Sequence, residues 1–177
     1  MNGSESLRIA KVPQEVRIKL RDGSWLPSNI FLDRYTERNQ GPEHVLDLLN
    51  DQEPYLPVRL EEDKVRLVRK KAIIMVEMPQ EDGMREIDPD GSLSPQIRFV
   101  KAMISMASGE SHTGLLPVEA PRVSGHRVSD WLNQKNRFFP FITRKEVLYI
   151  PHRAVIWIDE QEDIPLETYF AQAQSAM

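Results

Sequence analysis

The chain has 177 residues, no cysteine, 13 prolines and 8 glycines, with 23 Lys+Arg against 27 Asp+Glu for a formal net charge of -4. With 40% hydrophobic and 28% charged residues the composition is globular, which excludes collagen-like, coiled-coil and disordered classes; the lack of cysteine excludes disulfides and cysteine-ligated zinc. The mildly acidic balance argues against a dedicated nucleic-acid binder, and no apolar run suits a membrane span or a signal peptide.

In chain order, Val16, Ile18 and Leu20 alternate with polar residues and run into Asp22-Gly23, a hairpin signature followed by a second apolar stretch. Residues 43–49 place Val45, Leu48 and Leu49 on one face and predict a short helix. Asn50 stands where a left-handed C′ residue would end that helix. An apolar strand with Tyr55, Leu56 and Pro57 follows. The β-rich run Val65–Val76 is interrupted by Lys70-Lys71, which predicts a turn or bend between two strands. Residues 79–94 are acidic, contain Pro79, Gly83, Pro89 and Gly91, and read as a linker or surface loop. Ala102, Ile104 and Met106 then alternate up to Ser108-Gly109, a second hairpin. Residues 126–132 predict a second short helix ended by Asn133, and Val147–Ile158 a second long run broken at His152-Arg153, where Pro151 cannot donate to a central ladder. The tail, residues 161–177, reads either as a short helix from Leu166 onward or as a fraying end.

This order of elements repeats, and so do residues within it. Val45, Asp47, Leu49 and Asn50 recur in register as Val128, Asp130, Leu132 and Asn133. Pro57 recurs as Pro140; after a one-residue gap, Val65, Ala72 and Ile74 recur as Val147, Ala154 and Ile156. The pattern reads as duplication of one unit, spanning 12–78 and 95–160. About five strands and one helical turn per unit predict a mainly β chain of two tandem small β-barrels of SH3 or Sm-like type.

The segment R-V-S-D-W-L-N-x(4)-F-F-P-F (Arg127 to Phe141) resembles an R-x-S-D-x-L-N…F-x-P-L signature of an uncharacterised bacterial domain-of-unknown-function family. The first unit keeps V-x-D-L-L-N (Val45 to Asn50), with Leu46 in the serine's place. That resemblance implies a bacterial cytoplasmic protein and no known activity. The Asp22-Gly23 hairpin, the asparagine before the middle strand and the basic pair before the last strand are faintly similar to Sm-like barrels. Ala72 and Ala154 stand where that family has a glycine.

Chemistry-bearing patterns are sparse. His44, His112, His126 and His152 show no metal-ligand spacing, and neither a nucleophile elbow nor a phosphate loop is present. Ser124, His126 and Asp130 are neighbours only in sequence, whereas triads converge from distant segments. Asp47 and Asp130 would suit acid–base work only if the units faced each other. The simpler reading is a structural repeat motif, formed by Asp47, Asn50 and Pro57 and by Asp130, Asn133 and Pro140. No catalytic, cofactor-binding or metal-ligating residue is therefore expected. Candidate nucleic-acid contacts are the stripe Lys64, Arg66, Arg69, Lys70 and Lys71, with Arg144, Lys145 and Arg153 from the second unit. The leading expectation is a non-enzymatic protein-binding or assembly scaffold, with a protein partner or self-association and no membrane or small-molecule cofactor. The alternative is nucleic-acid binding through the basic stripe.

Overall fold

The computed structural model describes residues 11–88, 97–119, 127–133 and 137–174. The chain is mainly β. Strands β1 (Lys11–Leu20) and β2 (Trp25–Asp33) form the first hairpin, with Val16 and Ile18 buried and Arg17 turned outward. Gly23, at φ +86°, takes the left-handed conformation that the tight turn requires. Helix α1 (Val45–Asn50) buries Val45 and Leu49. Strands β3 (Tyr55–Arg59) and β4 (Val65–Arg69) follow, then a 3-10 turn at Lys70–Ala72 and β5 (Ile73–Pro79).

After helix α2 (Gln80–Ile87) the second half begins. It comprises β6 (Ile97–Met106), β7 (Ser111–Glu119), helix α3 (Val128–Leu132), β8 (Phe138–Ile142) and β9 (Glu146–Pro151). A 3-10 turn at His152–Ala154, strand β10 (Val155–Asp163) and helix α4 (Leu166–Gln174) complete it. The bends expected at Lys70-Lys71 and His152-Arg153 are these two 3-10 turns, and of the two readings of the tail the helix is the one found, from Leu166.

All ten strands lie in one antiparallel sheet, in the order β10-β6-β7-β8-β9-β5-β1-β2-β3-β4. Each half follows the same internal order, with its last strand beside its first. Where the sequence predicts two separate barrels, there is a single open sheet. The physical reason lies at the joint: β5 takes β9 of the other half as its second neighbour, not β4 of its own. β4 and β10 are left as the outer strands.

Two apolar clusters sit on opposite faces of that joint. Val76 and Met78 of β5 and Val147 and Tyr149 of β9 join the first, with Ile18, Ile30 and Leu56. Met75 of β5 and Leu148 and Ile150 of β9 join the second, with Ile104, Phe139 and Phe141. From Val147 to Pro151 β9 is buried on both faces, in keeping with an apolar run that does not alternate.

Two local expectations change. Residues 79–94 were expected to be a linker, yet their first part is helix α2, which lies on β9 with Gly83 against the Val147 side chain. Residues 89–94 lie outside the described residues. The asparagines do not end their helices in the left-handed conformation. The non-glycine residues at positive φ among those described are Gln40 and Asp63. Asn133 occupies the C-cap of α3 at φ -78°, and Asn50 is the last residue of α1, its side chain engaged elsewhere.

Candidate functional site

Of the residues expected to form a repeat motif, Asn50, Asp47 and Asp130 make side-chain contacts. The Asn50 Oδ1 accepts the backbone N–H of Arg137 at 2.9 Å and of Phe138 at 2.8 Å, and its Nδ2 donates to the Phe138 carbonyl at 3.0 Å. One side chain from the first half thus acts as a strand partner to the start of β8 in the second. Asp47 pairs with Arg38 at 2.9 Å and accepts from Asn39 Nδ2 at 3.0 Å. Asp130 accepts the Arg127 backbone N–H at 3.1 Å, at the start of α3. Pro57 faces Leu67 across β3–β4, and Pro140 faces Tyr149 across β8–β9.

Two clefts gather polar groups. One, of about 610 Å³, lies by the β5–β9 joint and is lined by Glu77, Lys101, His112, Arg144, Lys145 and Glu146. The other, of about 530 Å³, is lined by His44, Asp47, Glu86, Trp131, Phe139 and His152, from both halves. Glu86 of α2 accepts the Tyr149 hydroxyl and the Val45 backbone N–H, each at 2.6 Å. Burial pushes its carboxyl up to about 7, against the downward pull of those hydrogen bonds. Burial also raises the Tyr149 hydroxyl well above its ordinary range. Nothing in the sequence pattern of 79–94 singled out Glu86; only the packing of α2 does. Among the described residues no group of His, Asp or Glu could hold a metal ion. His126 and Ser124 lie outside those residues.

The expected basic stripe does not form one face. Lys70 is buried, and its ammonium donates to the Leu48 carbonyl and to Asp51, both at 2.5 Å. The Arg153 guanidinium donates to the Lys70 and Ile73 carbonyls at 2.5 and 2.6 Å and to the Lys71 carbonyl at 3.3 Å. Arg144 lies 5.7 Å from the Tyr169 ring, and Lys145 lines the first cleft. Lys64, Arg66, Arg69 and Lys71 are exposed. Arg66 and Arg69, on β4, enter no ion pair among the described residues.

The two outer strands carry the most conspicuous surface. On β4, Val65 is 65% and Leu67 is 67% exposed; on β10, Ile156 is 65% and Trp157 is 44% exposed. Beside the apolar groups the charges differ in sign. β4 presents Arg66 and Arg69, whereas β10 presents Asp159, Glu160, Glu162 and Asp163. Glu162 and Asp163 pair with Lys101 and Arg98 of β6. Asp159 and Glu160 enter no ion pair among the described residues.

No family model, no curated protein and no solved structure matches this chain. Among the described residues no helix is long and apolar enough to cross a membrane.

Proposed function

We propose that this chain is a non-enzymatic protein-binding or assembly module, built from two duplicated small β-barrel-like units and acting through the open edges of its sheet. The observation that carries this reading is the surface of β4 and β10: among the described residues they are the two outer strands of the sheet, and they carry the exposed Val65, Leu67, Ile156 and Trp157. An edge of that kind is a template for strand addition, in which backbone hydrogen bonds supply affinity and alternate side chains supply selectivity. The repeated strand order and the matching proline registers support the duplication. The commitment of Lys70 and Arg153 to backbone carbonyls favours protein over nucleic acid as the partner, because it removes two cations from the stripe.

Size exclusion with light scattering, recording absorbance at 260 and 280 nm, tests the reading. A protein-like absorbance ratio is expected. A 260 nm excess that high salt strips away, and that reversal of Arg66 and Arg69 abolishes, would replace it with nucleic-acid binding.

A further inference from the structure

Resting on that reading, we infer that the partner of these edges is a second copy of this chain, with β4 of one copy pairing antiparallel with β10 of the next. The internal joint supplies the template. There, β5 pairs with β9 in the register Val76↔Tyr149, Glu77↔Leu148 and Met78↔Val147. β9 holds in the second half the place that β4 holds in the first, and β5 corresponds likewise to β10. The 3-10 turns Lys70–Ala72 and His152–Ala154 fix the correspondence residue by residue. Val65, Arg66 and Leu67 then match Val147, Leu148 and Tyr149, while Ile158, Asp159 and Glu160 match Val76, Glu77 and Met78.

Transferring the register puts Leu67 opposite Ile158, Arg66 opposite Asp159 and Val65 opposite Glu160. The central pair unites an arginine and an aspartate that enter no ion pair among the described residues of one chain. Its apolar neighbours explain themselves too. Val147 and Tyr149 are 0% and 1% exposed at the internal joint, whereas their counterparts Val65 and Leu67 stand in solvent. At the internal joint part of that cover comes from α2; a strand added beside β4 would cover part of Val65 and Leu67.

Charge also selects the direction. β4 against β4 would oppose arginines, and β10 against β10 would oppose carboxylates; β4 against β10 alone brings unlike charges together. β4 and β10 lie at opposite ends of one chain's sheet, so the contact is head-to-tail between copies. Repetition gives a closed ring if the rotation closes and a filament if it does not.

The test is the mass of the intact full-length chain by light scattering, from micromolar to near-millimolar concentration. Multiples of the 20.5 kDa chain mass are expected, as is weakening by salt. Leu67→Lys and Asp159→Arg each alter an outer strand, so circular dichroism should show both folded while association weakens about tenfold or more. Arg66→Asp combined with Asp159→Arg should regain much of what either change alone loses. Wild type that stays monomeric throughout with a protein-like absorbance ratio would overturn the joint while leaving the protein-binding reading. So would an oligomer indifferent to both single changes. A salt-sensitive 260 nm excess would overturn the reading as well.

Discussion

Asn50 commits both ends of its amide to the backbone of residues 137 and 138, across the boundary between the two halves. Alanine there would leave two N–H groups and a carbonyl without that partner, so Asn50→Ala should cost about 2 kcal/mol of unfolding free energy. Asp47→Ala should cost under about 1 kcal/mol, because its partner Arg38 is largely exposed and such pairs contribute little. Denaturant unfolding of the two variants checks both; equal costs would contradict the assigned roles. Glu86 gives a pH signature. Its ordinary value is 4.5 and its folded value is about 7, so the folded chain holds the proton more tightly than the unfolded one. Stability should therefore be fully present below about pH 4.5 and fall as pH rises through 7, by on the order of 3 kcal/mol. Glu86→Gln should remove that fall. The difference between wild type and variant isolates it from other groups, and a difference that is flat from pH 4.5 to 8 would refute it.

At the scale of elements, much was legible. Alternation at Val16–Leu20 and Ala102–Met106, the two glycine turns and the i, i+3, i+4 spacing in α1 each report a local property, and local properties survive in a sequence. The helix in 79–94 was not legible, because its apolar positions are few and its order comes from contact with β9. Gly83 lies where an added Cβ would run into the Val147 side chain. Gly83→Ala should therefore destabilise the chain by about 1–3 kcal/mol despite alanine's better helix propensity. A thermal melt that rises instead would mean that α2 does not depend on that close approach. The left-handed ending expected at Asn50 is absent for a similar reason: propensity suggests it, but a tertiary partner, the backbone of Arg137 and Phe138, took the Asn50 side chain; Asn133 does occupy its C-cap, at negative φ. The basic stripe was legible as composition only. Which cations turn inward, as Lys70 does, depends on where the α1 carbonyls end.

For the whole molecule, the sequence shows two similar units but not how they join. The clue is a contrast within the repeat. The run around Val147–Ile150 is apolar on both faces, whereas Val65–Val68 carries Arg66 where Leu148 stands. The first pattern suits a strand with neighbours on both sides; the second suits an outer strand whose charge discourages indiscriminate pairing. One continuous sheet follows, ending in two edges of opposite charge. The most direct test of the account mixes two copies that are each blocked at one edge. Leu67→Lys keeps an intact β10, and Asp159→Arg keeps an intact β4. Alone, at a concentration where wild type assembles but a tenfold weaker contact does not, each should run as a monomer. Mixed in equal amounts, they should form a capped dimer of one copy of each, of about twice the chain mass. A mixture that remains monomeric where wild type assembles, or dimers of either variant with itself, would contradict head-to-tail pairing of β4 with β10.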